Sequence, residues 1–83
     1  MKRVLVVDDE EDMLWMLQRN LNKGMQDVEI LAAKSGEEAL AVLSDQKVNL
    51  VITDINMPGI SGLDLLVEIN NKFPNTGVII MTA

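Results

Sequence analysis

The sequence predicts an α/β domain in which a parallel β-sheet is covered by helices on both faces. Four short runs are almost continuously apolar and rich in β-branched residues, as is typical of strands buried on both sides. The stretches between them carry apolar residues at spacings of three and four, which indicates helices. Strands that alternate with helices imply right-handed crossovers and therefore parallel strands.

The elements follow one another in the order β-α-β-α-β-α-β. Strands are predicted over residues 4–7, 28–31, 50–53 and 78–81. The first helix is predicted over residues 10–23, ends before Gly24, and has an inward face formed by Met13, Leu14, Leu17 and Leu21.

The second and third helices have serine residues at their predicted N-termini. Ser35 precedes Glu38 by three residues, which is a capping box, and the inward stripe that follows is Ala39, Leu40 and Leu43. Ser61 is the predicted cap of the third helix, which ends before Pro74 and whose predicted inward residues are Leu63, Leu66, Val67 and Ile69.

Composition restricts the class of protein. The chain has 83 residues, of which 48% are hydrophobic, so we expect one domain over residues 1–83. The net charge of −6 opposes direct contact with nucleic acid. There is no cysteine to form a disulfide or a thiolate metal site, and no apolar run approaches the roughly 20 residues that span a bilayer. We therefore expect a cytoplasmic protein that neither inserts into a membrane nor binds nucleic acid itself.

Three carboxylates stand at predicted strand ends. Asp8 and Asp9 follow the first strand and Asp54 follows the third, and chemistry in an open parallel sheet gathers at the carboxyl ends of its strands. If these strands are neighbours, the like charges converge and require a cation. Oxygen ligands without histidine or cysteine favour Mg²⁺, with Mn²⁺ or Ca²⁺ as alternatives. Such an ion would allow an anionic phosphoryl group to approach an anionic nucleophile.

Each of these features also has an ordinary structural explanation. Acidic residues after a strand often stabilise the N-terminus of the next helix, and Asp54 could be a turn residue before Pro58 and Gly59. Thr82, at the end of the fourth strand, could be a simple strand residue. Only the conjunction of these residues at several strand ends favours a phosphoryl-transfer site.

The stretches VLVVDDEEDMLWML, LVITDINMPGISGLDLL and VIIMTA together resemble the response-regulator receiver domains of two-component signalling, most closely those of the NtrC class. The resemblance implies a flavodoxin-like, doubly wound sheet with the strand order 2-1-3-4. It also implies that Asp54 accepts a phosphoryl group from a histidine kinase, and that Mg²⁺ is bound by Asp8, Asp9, Asp54 and the backbone carbonyl of Asn56. Thr82 would donate a hydrogen bond to the phosphoryl group, and the small Ala83 would leave access to it.

The chain departs from the complete family pattern, which has five strands and five helices. The last helix, strand and helix have no counterpart here, so no lysine can be assigned to the family's phosphoryl-binding lysine. The fourth strand would then be an exposed apolar edge. We expect an unstable monomer, or a homodimer or strand-exchanged oligomer joined through that edge.

The first helix carries apolar residues on more than one stripe, including Trp15 and Met16. They could be additional packing, or they could form the surface on which the kinase docks. Met57, beside Asp54, is expected near the same surface.

Three functions remain open. The first is a phosphoacceptor switch that regulates an output such as transcription and is not a metabolic enzyme. The second is a receiver that is not phosphorylated and serves only as a self-associating or kinase-binding module. A phosphohydrolase of the haloacid-dehalogenase type is disfavoured, because its signature has a second acid two residues after the nucleophile, where this chain has Asn56.

Overall fold

The computed structural model describes residues 1–81, so Thr82 and Ala83 lie outside the described residues. Four strands alternate with three helices, as predicted. In chain order the elements are β1 (Lys2–Val7), α1 (Glu11–Gly24), β2 (Val28–Ala33), α2 (Gly36–Asp45), β3 (Leu50–Asp54), α3 (Gly62–Lys72) and β4 (Gly77–Met81).

The strands form one parallel sheet in the order β2-β1-β3-β4, which confirms the predicted order. Val7 of β1 lies opposite Thr53 of β3. Asp8 follows Val7 and Asp54 follows Thr53, so the register by itself brings the two carboxylates to one edge of the sheet.

The main core lies on the sheet face that carries Leu5, Val7 and Val51. The inward residues of α2 and α3 pack against it, namely Ala39, Leu43, Leu65 and Ile69. Val4 and Val6 alternate with Leu5 and Val7, so they point to the opposite face. They are buried, as is Leu14 of α1, the helix that packs against β1 and β2.

Both predicted serine caps are confirmed. Ser35 Oγ accepts a hydrogen bond from the backbone N–H of Glu38 at 3.0 Å, and Ser61 Oγ accepts one from that of Asp64 at 3.1 Å. Each bond satisfies an N–H group that the first helical turn leaves without a partner. The caps fix where α2 and α3 begin, and both helices begin beside the carboxyl edge of the sheet.

The predicted inward face of α3 was partly wrong. Ile69 is buried and Leu66 is half-buried, but Leu63 and Val67 are exposed, and Leu65 is fully buried. Residues 63, 65, 66, 67 and 69 are all apolar, so hydrophobic periodicity could not fix the rotation of the helix. The rotation depends instead on tertiary contacts, among them that of Gly62, which is buried against the backbone of Asp54 and Ile55.

The predicted inward face of α1 was also partly wrong. Leu14 is buried and Leu17 and Leu21 are half-buried, whereas Met13 is exposed. Because α1 is apolar on more than one stripe, the sequence assigned Met13 to the sheet side when it lies on the solvent side. Within residues 1–81, no helix has both the length and the apolar character needed to cross a bilayer.

The two neighbouring leucines of α3 provide a matched test of this helix rotation. We expect Leu65→Ala, at a side chain with 0% exposure, to lower the free energy of unfolding by about 2–5 kcal/mol, because a cavity replaces packed atoms. Leu63→Ala, at 53% exposure, should change it by no more than about 0.5 kcal/mol. Urea titration followed by circular dichroism measures both, and equal losses in the two variants would contradict the observed rotation.

Candidate phosphoryl-transfer site

The carboxyl ends of β1 and β3 bring three aspartates together. One side-chain oxygen from each of Asp8, Asp9 and Asp54 lies within 4.8 Å of the other two. The three residues differ in burial, since Asp8 is only 3% exposed, Asp54 is half-buried and Asp9 is exposed. The cluster is therefore open to solvent on the side of Asp9 and closed by protein on the side of Asp8.

Asp8 is held on both its backbone and its side chain. Its backbone N–H donates to the carbonyl of Ala33 at 3.1 Å, and its Oδ1 accepts from the N–H of Glu10 at 3.0 Å. The N-cap of α1 is Glu10, which makes no side-chain capping bond. The acidic pair therefore does not cap α1 directly; Asp8 stabilises the turn before it, and its second carboxylate oxygen makes no protein hydrogen bond among those described.

Asp54 is the last residue of β3 and is fixed by the pairing of that strand. Its Oδ1 accepts a long hydrogen bond of 3.4 Å from the backbone N–H of Asn56. This bond holds the carboxylate over the start of the loop at residues 55–61, hereafter the β3–α3 loop. Asn56 is exposed, and the use of its carbonyl as a metal ligand stays a prediction.

The β3–α3 loop is anchored along its length. The N–H of Ile55 donates to the carbonyl of Met81 at 3.2 Å, and the N–H of Gly62 donates to that of Ile55 at 3.0 Å. Met57 is buried in the main core, where its sulfur lies 3.9 Å from the Thr53 hydroxyl oxygen. Met57 is a loop residue, as expected, but its side chain is folded into the core; that it lies near a docking surface stays a prediction.

Gly62, the first residue of α3, also belongs to the site. A β-carbon built on it would lie 2.3 Å from the carbonyl oxygen of Asp54 and 2.8 Å from Cα of Ile55. Only glycine permits so close an approach of two backbone segments. The N-terminus of α3 is thereby seated directly behind Asp54.

The donor set fits a hard divalent cation. Three carboxylates at this separation repel one another unless a positive charge lies between them. All their side-chain donors are oxygens, the ligands that Mg²⁺ prefers, and Mg²⁺ typically binds through one or two carboxylates while keeping several waters. Among residues 1–81, no lysine or arginine forms an ion pair with these aspartates, so a bound cation would supply the missing charge.

Three of the basic residues form ion pairs with other acidic side chains. Lys34, which follows β2, donates to Glu11 at the start of α1. The hydrogen bond from Lys34 lowers the pKa of Glu11, and the same bond raises the pKa of Lys34. Arg3 pairs with Glu29 and Lys72 with Glu68, so none of these three cations is paired with the acidic cluster.

The outer side of α1, the helix that follows Asp8 and Asp9, is exposed and carries large apolar side chains. Trp15 is 61% exposed, Met16 and Met13 are also exposed, and the Arg19 guanidinium lies 5.2 Å from the centroid of the Trp15 ring. Trp15 is thus surface rather than additional packing.

Comparison with known proteins finds a matching family and similar relatives. The family described as "Response regulator receiver domain" matches residues 4–83. The DNA-binding transcriptional regulator NtrC of Salmonella typhimurium is 40% identical over 81 residues, which is 96% of this chain and 17% of that protein.

Two solved structures contain the response regulator TrrA of Thermotoga maritima, which is 44% identical to this chain. One is a complex with Mg²⁺-BeF (TM-score 0.91) and the other a complex with the histidine kinase ThkA (TM-score 0.90). Each match covers 100% of this chain and 70% of the TrrA chain. On the combined evidence of sequence, sheet order and acidic cluster, the chain belongs to the response-regulator receiver domain family.

Proposed function

We propose that this chain is a phosphoacceptor module of a two-component system, and that Asp54 is the residue phosphorylated. The observation that carries the proposal is the convergence of Asp8, Asp9 and Asp54 within 4.8 Å. The TrrA structure with Mg²⁺-BeF supports the same chemistry, because beryllofluoride stands in for a phosphoryl group.

In the proposed reaction, an oxygen of Asp54 attacks the phosphorus of a phosphohistidine. The new P–O bond forms as the P–N bond breaks, the histidine nitrogen leaves with the bonding pair, and Asp54 becomes an acyl phosphate. Mg²⁺, bound by Asp8, Asp9, Asp54 and the Asn56 carbonyl, would neutralise negative charge on the two reactants; Mn²⁺ would serve similarly. Thr82, outside the described residues, would donate a hydrogen bond to the phosphoryl group.

The chain acts in this proposal as a switch and not as a metabolic enzyme. Phosphorylation would change the contacts of the β3–α3 loop and so the neighbouring surface. We propose a transcriptional output because NtrC is a DNA-binding transcriptional regulator. With a net charge of −6, this chain would leave contact with DNA to other protein segments. We also propose a cytoplasmic location, because a kinase would make its phosphohistidine from ATP there.

Acetyl phosphate tests whether Asp54 is a phosphoacceptor without a kinase. We expect it to add one phosphoryl group in the presence of Mg²⁺, measured by intact-protein mass spectrometry and by a change in Trp15 fluorescence. Asp54→Asn should abolish both signals. Asp9→Asn should reduce both signals by about tenfold or more, because the loss of a ligand lowers the affinity for Mg²⁺.

Asp45→Asn is the matched control, since Asp45 is an exposed carboxylate at the far end of α2. It should take up one phosphoryl group and show the same change in Trp15 fluorescence as the unsubstituted chain. A chain that folds but takes up no phosphoryl group would overturn this proposal in favour of a receiver that acts only as an interaction module.

We further propose that a sensor histidine kinase docks on the exposed face of α1. The supporting features are the large exposed apolar area of Trp15 and Met16 and its position on the helix that follows Asp8 and Asp9. Exposed aromatic side chains of this size are often energetic centres of protein interfaces. The complex of TrrA with a histidine kinase shows that a similar receiver forms such an assembly.

Trp15→Ala separates docking from chemistry. With phosphorylated Thermotoga maritima ThkA as the probe, we expect this substitution to slow phosphotransfer about tenfold or more, because interface tryptophans commonly contribute about 2 kcal/mol. Acetyl phosphate, which needs no docking surface, should phosphorylate the variant at the normal rate. Val67→Ala, at another exposed apolar residue, is the control, and equal losses with both donors would contradict docking through Trp15.

We also propose self-association through β4. Within residues 1–81 this strand pairs with β3 alone, and its side chains are apolar, with Ile79 half exposed. An unpaired apolar edge is a template for another strand. Two copies related by a two-fold axis would pair their β4 strands antiparallel.

Ile79→Lys tests this pairing. We expect the unsubstituted chain to elute as a dimer at micromolar concentration and the variant to elute as a monomer, because paired edges would place like charges close together. Size-exclusion chromatography with light scattering measures the mass. Leu63→Lys, on α3, should leave the dimer intact, whereas a stable monomer of the unsubstituted chain would exclude the proposal.

A further inference from the structure

Two residues at the start of α2 lie against the β3–α3 loop. Gly36 is buried, and a β-carbon built on it would lie 2.8 Å from Cβ and 3.0 Å from Cγ2 of Ile60. A β-carbon on Gly59, which has a φ of +75°, would lie 2.9 Å from a carboxylate oxygen of Glu37. The end of the loop is therefore pressed onto the N-terminus of a helix that contributes no residue to the acidic cluster.

From this contact we infer that Gly36 is a positioning residue for the site, because it provides the space in which Ile60 holds the β3–α3 loop in place. The inference rests on the proposed function, since the loop carries the Asn56 carbonyl assigned to the metal. Gly36 itself touches neither Asp54 nor a metal ligand in the described contacts and acts only through Ile60.

A β-carbon added at Gly36 would displace the backbone of the β3–α3 loop, because Ile60 cannot move out of its way. The Cβ of Ile60 is fixed to the backbone, so rotation of the side chain cannot relieve a clash at that atom. Ile60 also packs against the main core, which prevents the side chain from simply turning away. The backbone of the loop would have to move.

The other contacts of the loop determine which of its residues would move. Gly62 is seated against the backbone of Asp54 and Ile55, and Ile55 is bonded to Met81, so both ends of the loop are fixed. Displacement at Ile60 would have to be taken up between these fixed ends, in residues 56–60, which include Asn56. Metal sites depend on such supporting contacts, because ligands must be held within about 0.5 Å of the productive geometry.

Gly36→Ala gives a sharp test because helix propensity alone predicts the opposite outcome. Alanine favours a helix over glycine, so a purely local effect would stabilise α2 and leave the site unchanged. We expect instead that Gly36→Ala raises the Kd for Mg²⁺ by about tenfold, the scale seen when outer-shell contacts are lost. It should also shift the amide NMR signals of residues 55–60 in the metal-free protein.

The substitution is then repeated in an Ile60→Gly background, in which the facing Cβ and Cγ2 are absent. There Gly36→Ala should change the Mg²⁺ Kd by less than about twofold, because the two sites are coupled only through that contact. Gly24→Ala is the control, since a β-carbon at Gly24 meets nothing within 4 Å. It should alter neither the Kd nor the loop signals.

Two results would overturn the inference: unchanged loop signals in Gly36→Ala, or the same shift in Kd in both backgrounds. Urea titration of each variant separates a loss of metal affinity from a loss of folding free energy. If the unsubstituted chain binds no Mg²⁺, the proposed function fails, while the metal-free loop signals still decide whether Gly36 positions the loop.

Discussion

The parallel pairing of β1 with β3 is the interaction on which the candidate site depends. Its register sets Val7 opposite Thr53, so the next residues, Asp8 and Asp54, leave the sheet side by side. A shift of one residue would turn every side chain of a strand to the opposite face. Leu5, Val7 and Val51 are fully buried on one face and Val6 on the other, so the cost of that shift fixes the register. The burial of aliphatic side chains in β1 and β3 thus fixes the positions of carboxylates that repel one another.

The loop that follows β3 is constrained by packing more than by hydrogen bonds. Met57 is inserted into the core, Ile60 lies on Gly36, and Gly62 lies on the backbone of Asp54. Glycine at the last two contacts allows two elements to approach more closely than any side chain would permit. α3 therefore packs against Asp54 through Gly62, and α2 packs against the loop after Asp54 through Gly36. Neither helix contributes a carboxylate to the acidic cluster.

Several large apolar side chains of α1 are exposed rather than buried. Leu14 alone among its residues is buried, while Trp15 and the adjacent methionines face solvent. Exposed apolar area of this kind adds nothing to folding, because it is not removed from water. Its place on the helix that follows Asp8 and Asp9 makes it the natural candidate for a contact surface. The charged start of the same helix is held to the segment after β2 by the Glu11–Lys34 pair, which is fully exposed and contributes little to stability.

The sequence by itself determined the order of the elements, both serine caps and the positions of Asp8, Asp9 and Asp54 at strand ends, because these follow from local chemistry and from the apolar character of buried strands. It could not determine which strands are neighbours from the residues alone; that came from the family resemblance and was confirmed by the sheet. Nor could it determine the rotation of α3, where five of the seven residues from 63 to 69 are apolar, or the inward turn of Met57. Those were decided by the tertiary structure, since they depend on contacts between segments distant in sequence: Gly62 with Asp54, Ile60 with Gly36, and Met57 with the core.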